Sequence, residues 1–227
     1  MLSIIIPTYN EKNNLSELVS RLKAISQDLE LIVIDDNSPD GTAEFARHLG
    51  LKVIVRPTRE GLSSAVIDGF KIAKGTIICV LDADLSHPPE VIPEMLEKIK
   101  SGQADFVIGS RFVPGGGSRN WSFMKKLFSE LARLAAKPLT DIKDFTSGFF
   151  MLKRSVVEGV TLNPIGFKIC LEIITKGKYK NAVEVPIVFA DCSITKSKMG
   201  IAEIFEYFIQ VGLLYVDKIT GKTKRRK

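Results

Sequence analysis

Two carboxylates separated by one small residue, Asp82 and Asp84, follow an apolar run at residues 76–81 of this 227-residue chain. The run is long enough for a strand that is buried on both faces. If the extended conformation continues through Asp84, the two-residue repeat of a strand points both carboxylates to the same side. Paired carboxylates at the carboxyl end of such a strand suit a hard divalent cation, which prefers oxygen ligands and commonly bridges to phosphate. The same pair is also typical of a solvated turn, so its meaning depends on the surrounding residues.

Strand-like and helix-like segments alternate along the first half of the chain, which predicts an α/β fold with a mainly parallel central sheet flanked by helices. The predicted strands cover residues 3–6, 29–34, 52–55, 76–84 and 106–109. Because the carboxyl ends of parallel strands share one edge of a sheet, the loops after the first, second and fourth strands meet at that edge. The polar residues on these loops are Tyr9, Glu11, Asp35, Asp36, Asp82 and Asp84. No glycine-rich dinucleotide motif or P-loop motif follows the first strand.

The composition is that of a folded protein with a basic charge balance. Hydrophobic residues make up 45% and charged residues 26%, and the formal net charge is +6. The positive charge favours phosphate-bearing partners, but no nucleic-acid-binding motif is present, so no nucleic-acid partner is expected. The three cysteines show no pairing pattern, which indicates a reducing, cytoplasmic location. No apolar run reaches the roughly 18–20 residues that span a bilayer, so any membrane role is expected to be peripheral or through an anchoring partner.

The sequence predicts a main domain over residues 1–200 and an amphipathic helix with a basic tail over residues 201–227. Within the main domain, further helices are predicted at 121–137 and 165–176, and further strands at 149–152 and 183–189. The last predicted helix, 201–219, has a wide apolar surface and is followed by Lys222, Lys224, Arg225, Arg226 and Lys227. A wide apolar face beside a basic cluster fits binding to the membrane interface. An ordinary core-packed helix with a solubilising tail is the alternative.

Several short strings, read together, resemble the family 2 glycosyltransferases. They are Pro7-Thr8-Tyr9-Asn10-Glu11, Asp35-Asp36-Asn37-Ser38-Pro39-Asp40-Gly41-Thr42, Asp82-Ala83-Asp84-Leu85-Ser86-His87-Pro88-Pro89, Gly109-Ser110-Arg111-Phe112 and Thr146-Ser147-Gly148-Phe149. Within that family they are most similar to the polyprenyl-phosphate hexose synthases, the group of the dolichol-phosphate mannose synthases. The resemblance covers roughly residues 2–200 in the order of the family.

The resemblance implies a GT-A fold and inverting transfer of mannose from GDP-mannose to dolichyl phosphate, with Mg²⁺ or Mn²⁺ as cofactor, on the cytosolic face of a membrane. Around the base and ribose it places Pro7, Tyr9, Glu11, Ile34 and Asp36. At the metal and diphosphate it places Asp82, Ala83 and Asp84, with Ser86 as a further metal contact. Facing the lipid phosphate it places Arg111, Lys125 and Ser129. Asp84 and Arg111 are the residues expected to be catalytic, and His87 is expected to have a positional role at the start of a helix.

The chain departs from the family pattern at residues 191–198, which lack the arginine and glycine that relatives usually carry. Lys196 or Lys198 could supply the missing positive charge to the diphosphate, and Lys198 is assigned to nucleotide-sugar binding, although a lysine cannot reproduce an arginine fork. Phe150 and Lys125 also stand where relatives have arginine. Two alternatives therefore stay open. One is a polyprenyl-phosphate glucosyltransferase that uses UDP-glucose, and the other is a non-catalytic nucleotide-sugar-binding subunit of a membrane assembly.

Overall fold

The apolar runs of the sequence form the central strands of a sheet. The computed structural model describes residues 1–119, 130, 133–163, 165–166, 168–190 and 201–220, without the side chains of residues 201–205. Its strands are β1 (Leu2–Thr8), β2 (Leu29–Asp35), β3 (Lys52–Val55), β4 (Ile77–Val80), β5 (Phe106–Ser110), β6 (Gly117–Arg119), β7 (Phe150–Lys153), β8 (Ala182–Pro186) and β9 (Val188–Ala190). The segment predicted as one strand at 183–189 is thus two strands, which belong to different sheets.

Helices follow the strands of the first half of the chain, as the alternating pattern predicts. The helices are α1 (Lys12–Ile25), α2 (Thr42–His48), α3 (Leu62–Ile72), α4 (Ile92–Lys100), α5 (Ile169–Lys176) and α6 (Ile201–Ile219), with short 3₁₀ turns at Pro89–Val91, Lys137–Leu139 and Arg154–Val156. Helix α5 begins four residues later than predicted. Most of the helix predicted at 121–137 lies outside the described residues. Among the helices that the structure describes, none is long and apolar enough to cross a membrane.

Seven strands form the main sheet, in the order β3-β2-β1-β4-β7-β5-β8, and β6 pairs with β9 in a small second sheet. Strand β1 runs parallel to both β2 and β4, and β5 runs parallel to β8. Strand β7 is antiparallel to its neighbours β4 and β5. The predicted mainly parallel α/β architecture is therefore confirmed. The reversal of β7 brings the start of that strand to the edge where β4 and β5 end.

The fourth strand is shorter than predicted. It ends at Val80, and the backbone turns through residues 83–85, where Leu85 has a positive φ of 62°. Asp84 promotes this turn because its Oδ1 accepts a hydrogen bond of 3.0 Å from the backbone N–H of Ser86. The prediction that the strand extends through Asp84 is therefore wrong, so strand periodicity does not set the directions of the Asp82 and Asp84 side chains. The two carboxylates are neighbours in a turn at the end of the sheet.

Both faces of the main sheet are covered by helices, so alternate residues of each central strand enter different cores. One core contains Ile5, Ile34 and Ile78 and is closed by α3, α5 and α6. The other contains Ile4, Val33 and Cys79 and is closed by α1 and α4. Each fully buried side chain of this size contributes about 1.5–3 kcal/mol to folding. This sandwich holds the strand ends, and the loops that follow them, in fixed positions.

Helix α3 crosses β1 at a glycine, and this contact yields a test of the packing. A Cβ atom at Gly69 would lie 2.5 Å from Cγ2 of Ile5, whereas a Cβ atom at Gly212 on α6 would meet nothing within 4 Å. We expect Gly69→Ala to lower the free energy of unfolding by about 1–3 kcal/mol because the helix must move off the strand. The control Gly212→Ala should raise it by up to about 1 kcal/mol, because alanine is the better helix former. Urea denaturation measures the free energy of unfolding of both variants. Equal effects of the two substitutions would contradict the close contact between α3 and β1.

Candidate functional site

The carboxyl edge of the main sheet collects the residues that the sequence singles out. Strands β1, β2, β4 and β5 all end at this edge, and β7 begins there, as the pairings of Val80 and Ile108 with Phe150 show. The loops that follow these strand ends therefore meet, as predicted from their parallel order. Asp82 and Asp84 lie near the middle of this edge, with Tyr9 and Asp36 on one side and Arg111 on the other.

Negative charge is concentrated at the centre of the edge. The pKa of Asp82 is raised to about 7, mainly by partial loss of contact with water and secondly by the charge of Asp84. The side chain of Asp82 is still 29% exposed. The pKa of Glu11 is also raised, first by burial and then by the charges of Asp84 and Asp82, against a lowering hydrogen bond from Asn14. Neighbouring carboxylates disfavour each other's ionisation unless a cation offsets their charge. The cluster is therefore electrostatically suited to a cation.

Ser86 adds a neutral oxygen to the acid pair. Its side chain is 2% exposed, and its Oγ has no hydrogen-bond partner among the described residues. A buried hydroxyl without a partner is unusual in a folded protein. The described residues contain no group of three or more histidine, cysteine or acidic side chains arranged for a metal ion. Two carboxylates and one hydroxyl fit a hard divalent cation that takes its other ligands from phosphate and water.

His87 holds the acid pair in place rather than facing solvent. The residue is 2% exposed, its Nδ1 accepts a hydrogen bond of 3.4 Å from the backbone N–H of Asp82, and its ring packs against Phe149 and Phe189 with centroids 5.5 and 5.3 Å away. Burial lowers the pKa of His87 to about 4, so the ring is neutral near pH 7. This geometry agrees with the positional role expected from the sequence.

Gly148, in the Thr146-Ser147-Gly148 string, packs so closely against Asp82 that only glycine fits at this position. A Cβ atom at this position would lie 2.8 Å from Oδ2 of Asp82 and 3.2 Å from Cε1 of His87. Any larger residue would displace the carboxylate. The position of Gly148 follows from the antiparallel β7, which starts beside the end of β4.

On the β2 side of the edge, Asp36 is tied into a loop by Arg56, a residue that sequence reasoning missed. One oxygen of Asp36 accepts a hydrogen bond from Arg56 Nη2, and the other accepts one of 3.0 Å from the backbone N–H of Gly61. Arg56 is 3% exposed and also donates to the carbonyl of Gly61 at 2.8 Å. The two residues fix the loop at 56–61, which carries Arg59 over the ring of Tyr9, 4.0 Å from its centroid.

The remaining residues predicted to surround the nucleotide occupy different environments. Pro7 is partly buried within β1, opposite Ile34 of β2. The side chains of Ile34 and Ala83 are buried in the two cores, so these residues can offer a ligand only their backbone atoms. Glu11 is partly exposed, and its backbone N–H donates to Thr42 Oγ1 at 3.0 Å. Phe150 is fully buried and packs edge-on against Phe106, so it is a core residue.

Positive charge lies on the other side of the acid pair. Arg111 donates from Nε and Nη2 to the two oxygens of Asp144 at 2.8 and 2.7 Å, and from Nη2 to Thr146 Oγ1 at 3.0 Å. Asp144 is fully buried and anchors this fork rigidly. Lys168 lies near Arg111. Burial, and then the charge of Arg111, lower the pKa of Lys168 to about 7. Lys168 and Arg111 in turn lower the pKa of Asp82, against the effects of burial and of Asp84.

Sequence reasoning missed Asp144 and Lys168. Asp144 lies two residues before the Thr146-Ser147-Gly148-Phe149 string, which is the signal that could have found it, whereas Lys168 lies beside no recognisable motif. Three predicted residues, Lys125, Ser129 and Lys198, lie outside the described residues. A cavity of about 960 Å³ opens at the opposite, amino end of the sheet and shares no residue with the predicted site. It is lined in part by Asp105, Thr161, Asn163, Lys176, Lys178 and Tyr179.

Comparison with known proteins shows the family of this chain. Residues 3–161 match the profile described as Glycosyl transferase family 2. The chain belongs to glycosyltransferase family 2. It is 53% identical over 215 residues to the dolichol-phosphate mannosyltransferase of Pyrococcus furiosus, a match that covers 90% of this chain and 61% of that relative. The chain thus spans about three fifths of the length of that protein.

Two other relatives in the family match over more of their own length. The dolichol-phosphate mannosyltransferase of Saccharomyces cerevisiae is 38% identical, with 95% of this chain and 87% of the relative covered. The polyprenol monophosphomannose synthase of Mycolicibacterium smegmatis is 35% identical, with 92% of this chain and 84% of the relative covered.

Solved structures confirm the GT-A fold. Glucosyl-3-phosphoglycerate synthase from Mycobacterium tuberculosis matches with a TM-score of 0.69 at 18% identity, covering 96% of this chain and 80% of that one. Another structure of that enzyme, with a TM-score of 0.61 at 17% identity over 83% of this chain and 70% of that one, contains Mn²⁺, UDP-glucose and phosphoglyceric acid.

The repulsion within the acid cluster leads to a test that needs no substrate. Because the folded-state pKa of Asp82 is raised above its usual 3.8 to about 7, the metal-free protein should lose stability as the pH rises through that interval. We expect Asp84→Asn to raise the free energy of unfolding of the metal-free protein by about 0.5–2 kcal/mol at pH 8, and by less at pH 5. The variant should also lose the increase in melting temperature that Mn²⁺ gives the parent protein.

Thermal unfolding with and without Mn²⁺ measures both effects, and Asp28→Asn, at an exposed acid outside the cluster, is the charge-matched control. An Asp84→Asn protein that is less stable than the parent without metal, and still responds to Mn²⁺, would contradict the assigned role.

Proposed function

We propose that this protein transfers mannose from GDP-mannose to the phosphate of a polyprenol such as dolichol. The observation that carries the proposal is the division of the site by charge, with Asp82 and Asp84 on one side and Arg111 and Lys168 facing them. A reaction between two anions, a sugar diphosphate and a lipid phosphate, needs such a division. Membership of family 2 and the names of the relatives support the transferred sugar and the acceptor class.

On the donor side, Asp82 and Asp84 would hold a divalent cation, Mg²⁺ or Mn²⁺, with Ser86 Oγ as a further ligand. When bound, the cation would offset the negative charge that develops on the departing diphosphate. His87 fixes the backbone of Asp82, and Gly148 leaves room for its carboxylate. These two residues position the metal-binding carboxylate of Asp82.

The nucleoside would lie along the β1 and β2 ends of the edge. Arg59 covers one face of the Tyr9 ring, with its Cζ 4.0 Å from the centroid. The base would stack on the opposite face. Asp36 would accept hydrogen bonds from the ribose or base while Arg56 keeps its carboxylate oriented. Pro7 and Ile34 would line this region with backbone atoms, and Glu11 would stand between it and the metal.

On the acceptor side, no general base is required. A phosphate monoester has a second pKa of about 6, so the acceptor is largely dianionic near neutral pH. A phosphate oxygen forms the new bond to C1 of the sugar as the bond from C1 to the diphosphate oxygen breaks and its electron pair leaves with the diphosphate. No proton moves in this step. Attack from the side opposite the leaving group inverts the configuration at C1.

Arg111 is the residue best placed to hold the acceptor phosphate in line. Its fork is fixed by the buried carboxylate of Asp144. Lys168 has a pKa lowered to about 7 in the protein alone and would be protonated when an anionic phosphate binds beside it. Preorganised cations of this kind lower the barrier because they need no rearrangement as charge moves. Lys125 and Ser129 remain proposed acceptor ligands, and Lys198 a proposed diphosphate ligand, from the resemblance alone.

Transfer of radiolabelled sugar to dolichyl phosphate in liposomes tests the proposal. We expect a lipid-linked product from GDP-mannose in the presence of Mg²⁺ or Mn²⁺, loss of product with a chelator, and at least about a thousandfold loss in Asp84→Ala. Asp28→Ala is the control and should transfer normally. Product from UDP-glucose instead would assign the glucosyltransferase alternative, and donor binding without any transfer would assign the non-catalytic one.

Arg111→Lys tests the acceptor side separately. The lysine keeps the charge but loses the fork to Asp144, so we expect the KM for dolichyl phosphate to rise about 10- to 100-fold while donor affinity stays unchanged. Arg47→Lys, at an exposed arginine on α2, is the matched control. Retained donor affinity shows that Arg111→Lys is folded. An unchanged acceptor KM would remove Arg111 from the acceptor site.

A further inference from the structure

The string at residues 35–42 carries more polar side chains than the proposed nucleoside contact of Asp36 explains. Asp35 is fully buried, so its carboxylate cannot touch a ligand. Its Oδ1 accepts hydrogen bonds from Thr8 Oγ1 at 2.9 Å and from Ser38 Oγ at 2.7 Å, and its Oδ2 accepts one of 2.8 Å from the backbone N–H of Ser38. A buried carboxylate with three such donors is satisfied within the protein. Asp35 therefore fixes the direction of the Ser38 side chain.

Thr42, the first residue of α2, is fixed in the same way by Asp40. Thr42 is fully buried, and its backbone N–H and its Oγ1 both donate to Oδ1 of Asp40, the N–H at 2.9 Å. Against the raising effect of burial, these hydrogen bonds lower the pKa of Asp40. A carboxylate that holds the hydroxyl proton leaves the hydroxyl oxygen free to accept a hydrogen bond from elsewhere.

The two hydroxyls hold consecutive amides of the loop that follows β1. Ser38 Oγ accepts a hydrogen bond of 2.9 Å from the backbone N–H of Asn10, and Thr42 Oγ1 accepts one of 3.0 Å from that of Glu11. Ser38 and Thr42 are here called the hydroxyl pair, and residues 9–11 are called the β1 turn. Each hydroxyl joins a carboxylate of the loop after β2 to an amide of the β1 turn.

Two features of the β1 turn work against its shape. Asn10 has a φ of 61°, in the left-handed region that is uncommon for residues other than glycine. The pKa of Glu11 is raised first by burial and then, against a hydrogen bond from Asn14, by the charges of Asp84 and Asp82. The acid pair thus repels the turn that carries Glu11. The hydrogen bonds to the hydroxyl pair oppose both effects.

We propose that Ser38 and Thr42 are positioning residues for the nucleotide, which hold the β1 turn in the shape that binds it. The role rests on the proposed function, in which the nucleoside lies along the ends of β1 and β2. Tyr9 would then meet the base, and Glu11 would stand between the nucleoside and the metal. A turn that is already in place need not be ordered on binding, so the hydroxyl pair strengthens nucleotide affinity. The chemical step at the sugar does not involve the hydroxyls.

Thr42→Val removes one hydroxyl and replaces it with a methyl group of similar size. We expect the Kd for GDP with Mn²⁺, and the KM for GDP-mannose, to rise about 5- to 30-fold because the amide of Glu11 loses its acceptor. The kcat and the KM for dolichyl phosphate should stay close to those of the parent protein. Thr42→Ser keeps the hydroxyl and should bind GDP like the parent. The matched control is Thr175→Val on α5, where the hydroxyl donates to the carbonyl of Leu171 at 3.1 Å.

Ser38→Ala tests the second hydroxyl at a position that is only partly buried. The Kd for GDP with Mn²⁺ should again rise about 5- to 30-fold, since the amide of Asn10 loses its acceptor. Ser101→Ala, at an exposed serine that follows α4, is the control and should bind GDP like the parent protein.

Hydrogen exchange of the ligand-free protein measures the hold on the β1 turn without any nucleotide. The amide of Asn10 should exchange about 5- to 30-fold faster in Ser38→Ala, and the amide of Glu11 should do so in Thr42→Val. Amides of the central strands should exchange as in the parent protein, which shows that each variant is folded.

Three results would overturn the positioning role. One is GDP binding that is as tight in Thr42→Val and Ser38→Ala as in the parent protein. Another is unchanged exchange at both amides of the β1 turn. The third is a Thr42→Ser protein that binds GDP as weakly as Thr42→Val, because the effect would then not come from the hydroxyl. A parent protein that neither binds GDP nor transfers mannose is a separate outcome, since it removes the proposed function itself and the positioning role with it.

Discussion

Repulsion between carboxylates at the carboxyl edge of the sheet is the constraint on which the rest of the site depends. Asp82 and Asp84 follow a strand that the two cores hold in place, so they cannot separate to relieve it. The pKa of Asp82 is raised first by loss of water and then by that repulsion. The repulsion lowers the free energy of unfolding of the metal-free protein. A bound cation removes the repulsion, so the same free energy contributes to the affinity for the cation.

The groups around the acid pair are held in position before any ligand arrives. His87, neutral and buried between two phenylalanine rings, fixes the backbone of Asp82. Asp144 fixes Arg111 on the cationic side, and Arg56 fixes Asp36 at the end of β2. In each case a buried partner uses hydrogen bonds to set the direction of a residue at the site. Rigid donors and acceptors of this kind are the usual source of catalytic advantage in reactions between charged groups.

The sequence predicts the fold well because its signals are local. The apolar runs at residues 3–6 and 29–34 predict buried strands that the structure contains, and the amphipathic pattern of α6 gives the limits of that helix correctly. The site is predicted less completely because its supporting contacts are long-range. Asp144 lies two residues before the Thr146-Ser147-Gly148-Phe149 string and Lys168 lies directly before α5, but neither position indicates a contact with Arg111. That contact depends on where β5 ends and where β7 and α5 begin in space. The antiparallel direction of β7 is also a property of the assembled sheet, and it alone explains why Gly148 packs against Asp82.

The central claim is that Asp82 and Asp84 bind a divalent cation together with a nucleotide diphosphate. Diffraction data collected near the manganese absorption edge, from crystals grown with Mn²⁺ and GDP, test this claim most directly. The account predicts an anomalous peak within bonding distance of the carboxylates of both acids and of the diphosphate oxygens. GDP bound at this edge with no metal peak there, or Mn²⁺ bound only at another group of residues, would contradict it.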